Sequence, residues 1–258
     1  MYPLTKTIVE KIKIQQPLII NLTNFVTMDF IANGLLSLGA SPVMTQSTQE
    51  AHDLTRIARA VVINIGTLND AFIRLSESFC GEANRLGVPL ILDPVGAGAS
   101  RYRTRTCLNL LSRFKFSIIR GNASEIMALS GSHQSTKGVD TTMSTQSAIE
   151  SAQSLASHHQ GVVAISGQTD AIIDASQIRL FDRGVPLMSR ITGSGCLLSA
   201  VVGAFHAVHA SPYEAACSAV VFYGICGEMA ARRTDLPGSF KPYFLDGLSL
   251  LPEGVDYE

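Results

Sequence analysis

A chain of 258 residues that is 46% hydrophobic and 16% charged can bury roughly 75% of its unfolded surface, and no charge run marks a disordered tail. A formal net charge of −1 and a pI near 6.6 leave no basic stripe of the kind nucleic-acid binding needs, so no nucleic-acid partner is expected. Met1 to Lys6 lack the charged-then-apolar pattern of a signal peptide, no apolar run approaches the roughly 20 residues of a membrane span, and the scattered Cys80, Cys107, Cys196, Cys217 and Cys226, odd in number and without CxxC spacing, fit reduced thiols in the cytoplasm.

Leu4 to about Ile14 show helical spacing that Pro17 ends, and Leu18 to Leu22 read as a short buried strand. A helix through Ala32, Leu35 and Leu36 stops at Gly39, the usual residue beyond a helix end. Ser41 to Met44 predict a brief strand, and Glu50 to Ala58 a helix. Ala60 to Gly66 are β-branched and continuously apolar, as in a strand covered on both faces. A helix from Asn69 to Leu86, a strand over Pro89 to Asp93, a helix near Cys107 to Ser112 and a strand over Phe116 to Arg120 follow. A polar loop from Gly131 to Thr145 joins a helix at Glu125 to one over Thr145 to His159. Gly161 to Ser166 and Ala171 to Asp174 form a hairpin-like pair, with Gln177 to Phe181 a further strand, so the sheet turns mixed near its C-terminal edge. Beyond Gly193 the chain is nearly all helix, closing with Pro237 to Phe240 and a last helix around Phe244 to Leu250. His206 and His209 share a helix surface, with nothing spaced to complete a metal site. The alternation predicts one domain over 1–258, a three-layer α/β/α fold with a mostly parallel sheet between two layers of helices.

In such sheets ligands bind outside the carboxyl ends of the strands, so the polar residues there are site candidates. Asn21 and Asn24 follow the first strand, Asp93 opens Asp93-Pro94-Val95-Gly96-Ala97-Gly98, Arg120 precedes Gly121-Asn122-Ala123-Ser124-Glu125, and Ser166-Gly167 end another. Asp93 suits a Mg²⁺-linked carboxylate, or simply starts a turn. Asn122 and Glu125, three apart at a helix start, either face one point above the sheet or form a capping box. Arg120 beside them suits phosphate oxygens, or a salt bridge to Asp93 or Glu125.

Gly193-Ser194-Gly195-Cys196 opens an apolar helix, where unpartnered N–H groups and the helix dipole favour a phosphate or phosphoryl anion. The alternative is a glycine cap with Cys196 as an ordinary buried thiol. GxxxxGK[ST] is absent, GxGxxG is missing from the first strand–helix turn, and Gly96 and Gly98 match it weakly.

Several longer stretches taken together resemble the ribokinase-like superfamily and, within it, the hydroxyethylthiazole kinases. They are Asn24-Phe25-Val26-Thr27 with Ala32-Asn33 and Leu38 to Met44, Ile63 to Leu68, Leu92 to Gly96, Arg120 to Ile126, Gly138-Val139-Asp140 and Gly193 to Cys196. The resemblance implies ATP-dependent phosphorylation of 4-methyl-5-(2-hydroxyethyl)thiazole with Mg²⁺, in a homotrimer with active sites between subunits. It implies that Met44, Gly193 and Asn24 meet the thiazole, that Arg120, Ser166 and Asn122 meet ATP, and that Asp93 and Glu125 hold the metal. Gly193, Ser194 and Gly195 would cradle the moving phosphoryl group. Cys196 stands where related sugar kinases carry a general-base aspartate, and would either accept the alcohol's proton as a thiolate or only orient the alcohol. Ser166 and Ser194 replace threonines, keeping the hydroxyl and losing a methyl. Pyrimidine and pyridoxal kinases share the cysteine; the stretch from Asn24 to Met44 favours thiazole. A non-catalytic binding protein on the same fold is the rival from another class.

Overall fold

The computed structural model describes residues 2–131 and 145–250. The Gly138-Val139-Asp140 motif and all but the ends of the expected 131–145 loop lie outside them.

Eight strands form one sheet: β1 (Leu18–Leu22), β2 (Ser41–Val43), β3 (Ala60–Asn64), β4 (Leu90–Asp93), β5 (Ile118–Asn122), β6 (Val162–Ser166), β7 (Asp170–Ile173) and β8 (Ile178–Phe181). Their order is β2-β1-β3-β4-β5-β6-β7-β8. The first six are parallel and the last two join antiparallel, which is the mixed edge expected from the hairpin-like spacing. The helices are α1 (Tyr2–Gln15), α2 (Met28–Leu38), α3 (Ala51–Ile57), α4 (Asp70–Leu86), α5 (Arg101–Arg113), α6 (Ala123–Leu129), α7 (Thr145–His159), α8 (Ser194–Val208), α9 (Pro212–Ala231) and α10 (Pro237–Ser249).

Successive strand residues point to opposite faces, so the apolar runs divide between two cores. Ile19, Val62, Ile91 and Ile118 face α1, α2, α8, α9 and α10, whereas Ile20, Val61, Ile63, Leu92 and Ile119 face α3 to α7. The outcome is the three-layer α/β/α architecture. Strand order reverses at the boundary between β1 and β3, the place where open α/β sheets form a crevice at their carboxyl ends. Helix α8 lies over the middle of the sheet, and a Cβ on Gly203 would come within 3.0 Å of Val62 Cγ2. That small residue lets the helix press close to β3.

Four expectations are corrected. Helix α10 begins at Pro237 and carries Pro242 inside it, so the Pro-Gly-Ser-Phe stretch is its first turn and not a break. Proline is tolerated there because a first-turn N–H lacks a helical partner anyway. Helix α5 begins six residues before Cys107, where Ser100 accepts from Arg103 N–H as its cap. His209 lies just beyond the end of α8, its ring nitrogen 2.8 Å from Glu214, so it does not share a helix surface with His206. Finally, α9 is a 20-residue helix long and apolar enough to cross a membrane by composition alone. It is, however, 78% buried over that window, packed against α1, α8 and α10 as a core helix.

Candidate active site

The carboxyl ends of β1, β3, β4, β5 and β6 and the amino end of α8 converge on one cluster of buried polar groups. Gly193 is the N-cap of α8 at φ +90°, a left-handed conformation that disfavours a side chain. A Cβ there would also lie 2.7 Å from Thr27 Cγ2, at the start of α2. Ser194, Gly195 and Cys196 therefore form the first turn, with Leu197 N–H donating back to the Gly193 carbonyl at 2.8 Å. No side chain caps this end, so its amides carry the partial positive charge of the helix terminus. Tyr223 Oη donates to the Ser194 carbonyl at 2.6 Å and anchors the turn to α9.

Asp93 ends β4 with 1% of its surface exposed. Its Oδ2 accepts from Asn64 Nδ2 and from Ser199 Oγ, each at 2.7 Å, and Arg120 Nη1 lies 3.9 Å away. Its Oδ1 is buried without a hydrogen-bond partner among the described residues. Burial raises the Asp93 pKa, opposed by Arg120 and the two hydrogen bonds.

Arg120, on β5, is also buried. Its Nη2 donates to Ser166 Oγ at the end of β6. A Cβ on Gly195 would fall 2.8 Å from Arg120 Nη1, so the glycine leaves room for the guanidinium directly beneath the first turn of α8. One cation thus links the carboxylate of β4, the hydroxyl of β6 and the amino end of α8.

Asn122 and Glu125 do form a capping box: Glu125 N–H donates to Asn122 Oδ1 at 2.9 Å, and Asn122 N–H to Glu125 Oε2 at 2.8 Å. The other oxygen, Oε1, accepts from Gly96 N–H at 2.8 Å, pinning the loop after Asp93. Burial first, then the charge of Asp93, pushes the Glu125 pKa up to about 7 against those two backbone hydrogen bonds.

Cys196 is half-buried, and the other four thiols are buried. Its Sγ accepts from Asn24 Nδ2 at 3.2 Å. Burial and then Asp93 raise its pKa, while the neighbouring side-chain amides of Asn64 and Asn24 and the charge of Arg120 act the other way. A thiol lowered by the helix end was one route to a thiolate; in the free protein the balance runs in the opposite direction.

Met44 directly follows β2 and packs, half-buried, on the α2 and α8 side. Next to it, a cavity of about 80 Å³ is lined by Thr23, Phe25, Met28, Thr45 and Phe72. A larger cleft of about 730 Å³, against Pro89, Lys115, Ser117 and His206, lies at the other end of the strands. It contains none of the buried charges, so we place the site at the carboxyl ends in spite of its smaller cavity.

Asn24, Asp93, Arg120, Asn122, Glu125, Ser166 and Gly193 to Cys196 are thus linked through contacts or shared electrostatics. Asn64 and Ser199 belong to the same network and were not singled out from the sequence. Asn64 ends a buried strand as Asp93 does, and Ser199 stands one helical turn after Cys196. Among the described residues no group of three or more His, Cys, Asp or Glu side chains is arranged to hold a metal.

Comparison with known proteins gives one answer at three levels. A family model described as the hydroxyethylthiazole kinase family matches residues 9–254. A hydroxyethylthiazole kinase of Syntrophus aciditrophicus is 47% identical over 246 residues, 95% of this chain and 91% of that protein. The solved structure of a hydroxyethylthiazole kinase from Pyrococcus horikoshii OT3 superposes with a TM-score of 0.89 at 38% identity, covering 96% of this chain and 94% of that one. A ribokinase-like superfamily protein from Enterococcus faecalis V583, at 14% identity, covers 94% of this chain and 93% of its own with a TM-score of 0.64, a likeness of fold alone.

Proposed function

Because this chain belongs to the hydroxyethylthiazole kinase family, we propose that it transfers the γ-phosphoryl group of ATP to the primary alcohol of 4-methyl-5-(2-hydroxyethyl)thiazole, in thiamine biosynthesis or salvage. The observation that carries this reading is the meeting of the uncapped α8 terminus with Arg120 and Asp93 at one point. Phosphoryl transfer rests mainly on positioning and charge stabilisation, and these groups supply both.

In this reading the amides of Ser194, Gly195 and Cys196, opened by Gly193, receive the charge on the moving phosphoryl group. Arg120 and Ser166, already paired, bind the nucleotide's phosphates with Asn122 beside them. Met44, Gly193 and Asn24 surround the thiazole, and Cys196 stands against its alcohol. The two carboxylates fit Mg²⁺: Asp93 would hold it through the buried and unpartnered Oδ1. Glu125, whose oxygens are engaged by backbone amides, would add its charge alongside. When bound, Mg²⁺ would neutralise and orient the phosphate oxygens.

The whole chain acts as one kinase domain in the cytoplasm, with free thiols throughout the described residues. A homotrimer with sites between subunits accounts for Phe25 and Val26, which stand 55% and 72% exposed directly beside Asn24. Light scattering of the purified protein tests that assembly, and a monomer would refute it. The activity is tested by offering ATP with hydroxyethylthiazole, hydroxymethylpyrimidine and pyridoxal in parallel. Preference for the thiazole supports the reading, preference for another alcohol reassigns the substrate, and turnover of none favours a non-catalytic binding protein.

A further inference from the structure

The direction of two buried side-chain amides fixes what the sulfur of Cys196 can do. Asn64 is 1% exposed and has fixed partners at both ends. Its Oδ1 lies 3.0 Å from Gly66 N–H, which can only donate. Its Nδ2 lies 2.7 Å from an oxygen of Asp93, which accepts when ionised. Turning the amide over would set N–H against N–H and oxygen against oxygen, so both ends independently impose one orientation. The same Oδ1 then takes a second hydrogen bond, from Asn24 Nδ2 at 3.1 Å. Asn24 is thereby also held one way round, with its NH₂ group towards both Asn64 and Cys196. A Cβ on Gly66 would meet Asn24 Cβ at 2.8 Å, so the backbone packs against this amide and limits its movement. At the end of the series, Sγ receives an N–H. Its own proton cannot lie on that line and must point elsewhere or be absent.

We propose that Asn64 is a positioning residue: through Asn24 it holds the Cys196 sulfur as a hydrogen-bond acceptor, keeping amide protons on the sulfur where negative charge would develop. Resting on the kinase reading, this assigns Asn64 a role in presenting Cys196 to the substrate alcohol without touching that alcohol itself. The charged or titratable groups facing the sulfur are Asp93 of β4, Arg120 of β5 and Tyr223 of α9. The test substitutes none of them.

The probe is iodoacetamide, which reacts with thiolates, with each cysteine followed by mass spectrometry on the full chain across a pH series. Cys196 is the half-buried thiol, and Cys80, Cys107, Cys217 and Cys226 are buried, so their silence certifies that the fold is intact. In Asn64→Leu, alkylation of Cys196 at about pH 8 should slow about tenfold and its pH midpoint should rise, as expected for loss of hydrogen bonds to a charged group. Asn64→Ser, which keeps a small polar group beneath Gly66, should slow it likewise and serves if the leucine variant exposes the buried thiols. An unchanged Cys196 rate and midpoint in a folded variant overturn the proposal. The alkylation assay needs no substrate. Failure of the unaltered protein to phosphorylate the thiazole would therefore strike the kinase reading separately.

Discussion

Replacing Glu125 by glutamine should abolish a pH dependence of folding that the native carboxyl creates. Burial and the neighbouring Asp93 push its pKa from 4.5 up to about 7. A carboxyl whose folded pKa lies above its unfolded value binds its proton more tightly in the folded state. Its contribution to stability is full below about pH 4.5 and is lost as pH rises through about 7. Integrating between about pH 5 and pH 8 gives about 2.5 kcal/mol in favour of the acidic condition. Glutamine cannot titrate. It can accept from either Gly96 or Asn122 N–H but turns a donor to the other, at a cost of about 1–3 kcal/mol that does not vary with pH. The native advantage over Glu125→Gln should therefore be larger near pH 5 than near pH 8 by about 2.5 kcal/mol. Asp93 and Asp170 are also raised by burial, Asp170 to about 6, but they are common to both proteins and largely subtract out. Urea unfolding followed by circular dichroism, at fixed protein concentration and with a chelator present, measures the difference. Parallel pH dependences for the two proteins would refute the reasoning, and with it the view that Glu125 is a strained, buried acid.

Three further substitutions probe the same cluster. Gly193→Ala combines a left-handed backbone strain of about 1–2 kcal/mol with overpacking of about 1–3 kcal/mol against Thr27. Its urea midpoint should fall accordingly and turnover with it, and near-native stability would contradict the close approach. Arg120→Lys keeps the charge but loses the planar fork that reaches Ser166, Asp93 and the underside of Gly195. The KM for ATP should rise and kcat/KM fall about tenfold or more in initial-rate assays, whereas native values would remove Arg120 from the nucleotide site. Asp93→Asn removes a buried charge and keeps an oxygen for Asn64 and Ser199. Because it leaves the buried Arg120 without its carboxylate, its urea midpoint should fall by the equivalent of up to about 3–5 kcal/mol, and phosphoryl transfer should slow about a hundredfold or more. Native turnover would show that the carboxylate is not needed.

The sheet was readable because its strands are continuous apolar runs and the turn chemistry between them is explicit. Val61-Val62-Ile63 could hardly be anything but a strand covered on both faces. The antiparallel edge was legible from the short spacing between Ser166 and Ala171, too short for a helical crossover. The start of α10 was harder, because Pro237 and Gly238 signal a break locally while Phe240, Phe244 and Leu248 bury against the core. Tertiary burial prevailed. Of the site, Asp93, Arg120 and Gly193 to Cys196 could be found from the polar residues that end each buried strand and the glycines that open an apolar helix. Asn64 and Ser199 could not be ranked that way, since their importance lies in which atom they donate to. The upward shift of the Cys196 thiol was likewise invisible: a helix terminus predicts the opposite sign, and only the depth of burial beside Asp93 decides.

The most direct measurement is phosphorus NMR of the purified chain incubated with ATP, Mg²⁺ and hydroxyethylthiazole. A thiazole kinase should make ADP and a new phosphate monoester signal grow in equal amounts, and the ester signal should be absent when the thiazole is omitted. ADP and free inorganic phosphate without the ester, or no consumption of ATP at all, would contradict the proposed activity.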